Sequence, residues 1–204
     1  MTRRIVLATG NPHKVGELRD ILADVLTELD LELVGQGEYA AVPPVVEDGV
    51  TFAENALLKA RAVTAATGLP ALADDSGLAV DVLGGAPGIF SARWCGRHGD
   101  DRANLELLLA QLADVPDAHR GAQFVCAAVL VLPDGTERVE HGVFRGTLTR
   151  APRGSNGFGY DPILQVEGDT RTSAELSPAQ KHAISHRGKA FRALSAQLRE
   201  LLAS

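Results

Sequence analysis

Short unbroken apolar runs alternate along the chain with segments whose apolar residues recur every three or four positions. That alternation predicts strands exchanged with helices. Residues 4–8, bounded by Gly10, predict a buried strand. Val15, Leu18, Leu22 and Val25 follow at helical spacing, with Asn11 as N-cap and Pro12 at the first helical position. Residues 29–34 predict a second strand and residues 35–48 a loop or hairpin. Thr51 and Glu54 form a capping box ahead of a stripe of Phe52, Ala56, Ala60 and Val63, which ends near Gly68. Residues 71–73 predict a short strand that carries Asp74, Asp75, Ser76 and Gly77 at its end. Residues 78–83 resume a strand before the glycine-rich loop 84–88. Residues 101–112 predict a helix with Leu105, Leu108 and Leu112 on one face. Residues 122–132 and 137–148 predict an antiparallel hairpin across Pro133, Asp134 and Gly135. After a second glycine-rich loop, 151–161, Ser177, Pro178 and Gln180 start a helix. Gly188 is expected to divide this end into helices 178–185 and 188–202. The pattern describes an α/β fold, a mixed sheet with flanking helices.

Composition narrows this little. The chain has 204 residues, enough for one domain, or two lobes sharing a core, and 45% of them are hydrophobic. Aromatics are only 4%, so an aromatic outside an apolar run calls for an explanation. The net charge of -6 disfavours a nucleic-acid partner, which needs a concentrated basic surface, but leaves room for a small anionic ligand. Cys95 and Cys126 make neither a disulfide framework nor a zinc motif. The opening segment is too short and too polar for a signal peptide, and no apolar run approaches the ~20 residues of a membrane span. A cytoplasmic protein with no membrane partner is expected.

Four groups of residues invite chemistry. Thr9, Gly10, Asn11, Pro12, His13 and Lys14 join a strand to a helix. Free N–H groups and the helix dipole at such a junction attract an anion, although the segment is not a Walker A loop, and a plain capped turn would look the same. Glu47, Asp48, Asp74 and Asp75 are hard-oxygen donors of the kind Mg²⁺ prefers. At a strand end both adjacent aspartates could enter one cleft; they could equally be turn-forming acids. Phe158 and Tyr160, in the sequence Phe158-Gly159-Tyr160-Asp161, offer a ring to stack on a base or a plug for the core, the plug being favoured for Tyr160. Lys181, His186 and Arg187 concentrate hydrogen-bond donors, with His186 and Arg187 expected exposed at a helix break. Lys59 faces either the phosphates or solvent.

Five segments, TGNPHK (9–14), TFAENALLKA (51–60), LPALADDSGLAVDVLGGAPGIFSAR (69–93), GFGYDP (157–162) and ELSPAQKHAISHRGKA (175–190), together resemble the Ham1/RdgB family of inosine/xanthosine triphosphate pyrophosphatases. The resemblance implies a long mixed sheet shared by two lobes around a central cleft, in a single domain over residues 1–204 that pairs as a homodimer. It implies hydrolysis of XTP, ITP and dITP to the monophosphate and pyrophosphate with Mg²⁺ as cofactor. Asp75 is then the proton acceptor, and Glu47 and Asp75 hold the metal, with Asp74 a further candidate. Residues 9–14 and Lys59 meet the triphosphate, and Ser76 lies at the substrate. Phe158, Gly159, Tyr160 and Asp161 supply the stacking segment. Lys181 contacts nucleotide, and His186 and Arg187 reach the purine 6-oxo edge. A Maf-like pyrophosphatase with another base preference and a non-catalytic nucleotide-binding module are the alternatives. The 157–162 and 185–188 segments oppose the first, and the intact acids oppose the second.

Overall fold

The computed structural model describes residues 3–9 and 12–203, with residues 12 and 13 described by their backbone alone. In chain order the elements are β1 (Arg3–Leu7), α1 (Pro12–Glu28), β2 (Leu31–Gly35), α2 (Phe52–Thr67), β3 (Ala71–Val80), α3 (Asp101–Gln111), β4 (Gly121–Val131), β5 (Glu137–Leu148), β6 (Leu164–Val166), α4 (Pro178–Ile184) and α5 (His186–Leu202). The strands form one sheet in the order β2-β1-β3-β4-β5-β6. β1 pairs parallel with β2 and β3, whereas β5 and β6 are antiparallel, so the sheet is mixed. The fold is α/β, as the periodicity predicts.

Two compact units are built from this chain. The first takes Met1–Asp75, Cys126–Gly142 and Arg187–Ser204; the second takes Ser76–Val125 and Val143–His186. In the first unit, Leu18, Leu22 and Val25 of α1 and Phe191, Leu194 and Leu198 of α5 pack with Ile5, Leu7, Leu72 and Leu130. A separate cluster joins Ala56, Ala60 and Val63 of α2 to Val6, Ala71, Ala73 and Val129. Successive side chains of a strand alternate between faces. On β3, position 72 therefore belongs to the layer of α1 and α5, and positions 71 and 73 belong to the layer of α2.

The second unit has a core of its own. Leu105, Leu108 and Leu112 pack with Leu78, Val80, Phe124, Phe144, Leu148 and Leu164. Arg120, 1% exposed, donates to the carbonyls of Leu112, Leu148 and Thr149. The carbonyl of Leu112, the residue that caps α3, also accepts the Val115 N–H at 3.0 Å, so the helix end is satisfied from outside the helix.

Two boundaries differ from expectation. The predicted strands 71–73 and 78–83 are one unbroken strand, so Asp74 and Asp75 lie inside β3 rather than at an end. The break before the last helix falls at Ser185, which has extended backbone (ψ 158), and Gly188 sits in the first turn of α5. Serine is among the residues that favour the position before a helix. Both predicted capping boxes, Thr51 with Glu54 and Ser177 with Gln180, are formed.

Candidate active site

Asp74 shares strand parity with Leu72, and its carboxylate accordingly meets α1 and α5. Lys14 Nζ, from the first turn of α1, lies 3.0 Å and 3.2 Å from its two oxygens. Arg187 donates from Nε to Asp74 Oδ2 at 3.1 Å and from Nη1 to Glu17 Oε2 at 3.0 Å. Glu17 is three residues beyond Lys14, so one face of α1 supplies both. Asp74 and Arg187 are each 3% exposed. Burial by itself would raise the Asp74 carboxyl, but Lys14, Arg187 and, to a lesser degree, Lys59 outweigh it and hold the group well below the usual carboxylate range. Burial would lower Arg187, and Asp74 and Glu17 more than reverse this. Arg187 was expected exposed; its guanidinium is instead buried against two carboxylates.

Asp75 has the opposite parity, shared with Ala71 and Ala73, and meets α2. Lys59 Nζ lies 3.7 Å from Asp75 Oδ1 and 3.2 Å from Glu47 Oε2. One turn earlier on α2, Asn55 donates from Nδ2 to Asp75 Oδ2 at 3.2 Å. Burial raises the Asp75 carboxyl; Lys59 opposes this, Glu47 reinforces it, and the net direction is upward. The expectation that both aspartates enter one cleft from a strand end is therefore corrected. Within an unbroken strand, alternation sends Asp74 into the α1/α5 layer and Asp75 to α2. Thr9 follows β1, its N–H donating to Leu7 O at 2.8 Å. Gly10 and Asn11, and the side chains of Pro12 and His13, lie outside the described residues.

The second unit carries the stacking segment. Phe158 is 59% exposed, a large ring left outside the core. Tyr160 is buried and donates its hydroxyl to Ser91 O at 2.9 Å, which makes it the plug. Asp161, also buried, accepts from Ser173 Oγ at 2.7 Å, from the Phe158 N–H at 2.9 Å and from Lys181 Nζ. Lys181 Nζ in turn lies 5.4 Å from the centre of the Phe158 ring, within cation–π range. Gly157 has φ +77, and a Cβ there would strike the Asp161 carboxylate, so the loop's approach to Asp161 needs glycine. Gly159 donates its N–H to Asp101 Oδ2 at 3.0 Å. Ser76 is half-buried in β3. His186, expected exposed, is buried, and its ring stacks on Phe124 with centroids 5.0 Å apart and planes at 20°.

A profile of the Ham1 family matches residues 5–197. The chain belongs to the Ham1 family. Among curated Ham1-family relatives, the dITP/XTP pyrophosphatase of Streptomyces avermitilis is 69% identical over 199 residues, covering 98% of each chain. A HAM1 protein from Coxiella burnetii has a solved structure that superposes with TM-score 0.88 at 44% identity, covering 97% of this chain and 99% of that one. The structure of the nucleoside-triphosphatase / dITP/XTP pyrophosphatase from Mycobacterium abscessus superposes with TM-score 0.78 at 52% identity, covering 96% and 98%.

Three residues of this Ham1-family chain escaped the sequence reading. Asn55 is a buried polar residue on the apolar side of α2, a cost that signals a partner. Glu17 is spaced to share a helix face with Lys14. Ser173 gave no signal, since its partnership with Asp161 joins residues twelve apart in an irregular stretch. Glu47 and Asp75 are hard-oxygen donors that already share one cation, the Lys59 ammonium, and in kind they suit Mg²⁺. Among the described residues no group of three or more His, Cys, Asp or Glu could enclose a metal. Mg²⁺ held by one or two carboxylates takes its remaining ligands from water and substrate phosphates, so two donors suffice.

Proposed function

We propose that this chain hydrolyses the deaminated purine nucleoside triphosphates XTP, ITP and dITP to the monophosphate and pyrophosphate, and that residues 1–204 act as one catalytic domain. Its Ham1 membership and its near-full-length identity to a dITP/XTP pyrophosphatase support the reaction. The observation that carries the reading is the pair of carboxylates, Glu47 and Asp75, turned on one ammonium. Mg²⁺ held by Glu47 and Asp75 would neutralise phosphate charge and polarise the phosphoryl oxygens.

The chain's own groups divide the remaining work. Asp75, less buried than Asp74, accepts a proton from the attacking water. Asp74, locked between Lys14 and Arg187, serves as an anchor that aims Lys14 at the phosphates. Lys59 and residues 9–14 offset further phosphate charge. Arg187 acts through Asp74, because its fork is already engaged there. The base stacks on Phe158, with Gly159 and Ser76 also at the substrate, with Lys181 held over the ring by Asp161 and with His186 as the donor to the 6-oxo group. A donor there accepts hypoxanthine and xanthine; against the amino group of adenine it is left unpaired, at a cost of ~1–3 kcal/mol.

Incubation with Mg²⁺ and a panel of XTP, ITP, dITP, GTP, ATP and dTTP tests the reaction. Monophosphate and pyrophosphate should come fastest from the first three. Orthophosphate as the sole phosphate product, or equal rates across the panel, would overturn the reading. Asp75→Asn should cut kcat by about 10²–10⁴-fold with the fold retained by circular dichroism. A homodimer, as the resemblance implies, should give twice the chain mass in light scattering.

A further inference from the structure

Asn55 is the fourth residue of α2, 1% exposed, beside Ala56 and near Ala60 and Val63. Asparagine is a poor helix former, and a buried amide without partners costs several kcal/mol in apolar surroundings. Both ends of this amide are used. Oδ1 accepts the Gly49 N–H at 2.9 Å, and Nδ2 donates to Asp75 Oδ2 at 3.2 Å. The fit is close on the loop side as well: a Cβ at Gly49 would stand 2.7 Å from Asn55 Oδ1. The amide therefore joins the segment that carries Glu47 to the strand that carries Asp75.

Asn55 and Lys59 are four residues apart, so one face of α2 aims two donors at a single carboxylate. They take different oxygens: Asn55 takes Oδ2 and Lys59 is nearer Oδ1. Lys59 also serves Glu47. Asn55 is neutral and held by its own second bond to Gly49. It can keep Asp75 oriented when cations and phosphates enter and Lys59 changes partners.

We infer that Asn55 is a positioning residue for the hydrolysis proposed above: it fixes the rotation of the Asp75 carboxylate through Nδ2 and ties the Glu47 segment to it through Oδ1. The inference rests on the reading of Asp75 as proton acceptor, and the experiment separates the two. Asn55→Asp keeps an acceptor for Gly49 and removes the donor to Asp75. Asn55→Leu removes both at similar volume. Kinetics with ITP and Mg²⁺ should show kcat reduced about 10–100-fold in both variants, the range typical of groups that orient ligating residues, with KM changed less than about threefold. Hydrogen exchange of the Gly49 amide should accelerate in Asn55→Leu and stay near the wild-type rate in Asn55→Asp. A merely structural amide would instead lower Tm and kcat together in both variants. Should Asn55→Leu fail to fold, Asn55→Asp decides alone. Wild-type kcat in a folded Asn55→Asp, or a loss confined to KM, overturns the inference. If Asp75→Asn also keeps full turnover, the reading of Asp75 falls with it; if Asp75→Asn is inactive, only the role of Asn55 falls.

Discussion

Lys14 meets Asp74 in the first unit and Lys181 meets Asp161 in the second, yet the two carboxylates are held by different means. Asp74 has a second cation, Arg187, which leans in turn on Glu17. Asp161 has two neutral donors, the Ser173 hydroxyl and the Phe158 N–H. The first arrangement balances four charges, and each member depends on the rest. The second places one ion pair in a frame of ordinary hydrogen bonds. In the function proposed above, the dense charge of the phosphates falls to the first kind of site, whose potential is set by fixed ions, and the flat, nearly neutral base falls to the second, in which a lysine and a ring are held at fixed places.

The largest effect should come from breaking the four-charge group. Asp74→Leu leaves Arg187 buried with Glu17 alone and should cost about 3–5 kcal/mol of stability by urea unfolding. A cost no greater than that of Ser173→Ala would erase the contrast between the units. The same contrast has a pH signature. Asp74 is depressed in the folded state, so its contribution is complete above the unfolded aspartate value of about 4 and is lost as pH falls below it toward the folded value. Stability of the wild type should therefore fall on acidification below about pH 4. Part of that fall should be missing in Asp74→Asn, as measured by unfolding midpoints across that range.

Phe158→Ala should come next, and it should act on binding rather than folding. The ring is mostly exposed, so Tm should hardly move. Loss of a stacked base at ~1–3 kcal/mol should raise KM for ITP by roughly 5- to 150-fold. The smallest effect should be that of Ser173→Ala. Removing one neutral donor from the buried Asp161 carboxylate costs about 1.5–3 kcal/mol of local stability, only part of which reaches substrate, seen as a modest rise in KM through a less fixed Lys181.

Much of this was legible in the sequence, and the exceptions share a cause. Apart from β6, which no pattern signalled, and the unbroken β3, the strand and helix order, the two capping boxes and the hairpin follow from local periodicity and turn chemistry. The pairing of Lys59 with Glu47 was not among the expectations, which had Lys59 at the phosphates or in solvent. Nor was the burial of Arg187, because its partners Asp74 and Glu17 stand 113 and 170 residues away. A cation near a helix break reads as solvent-exposed until the facing carboxylates are known. The division between Asp74 and Asp75 was hidden by a single boundary. With glycine and serine beside them, the two acids read as a strand end, where parity has no force. An unbroken β3 restores parity and with it separate tasks.

That alternation has a consequence for how the chain can change. Each residue advances a strand by ~3.3 Å and reverses the side on which the next group lies. Inserting or deleting one residue between Ala71 and Asp74 would exchange the surroundings of the two aspartates, presenting Asp74 to α2 and burying Asp75 against α1 and α5. Both acids would survive in such a chain, and neither would have its partners. The glycine-rich stretch at 84–88 and the turn at 133–135 can absorb changes of length. The first half of β3 has no such freedom: its count is fixed, and descendants of this chain are free to vary their loops only while that count is kept.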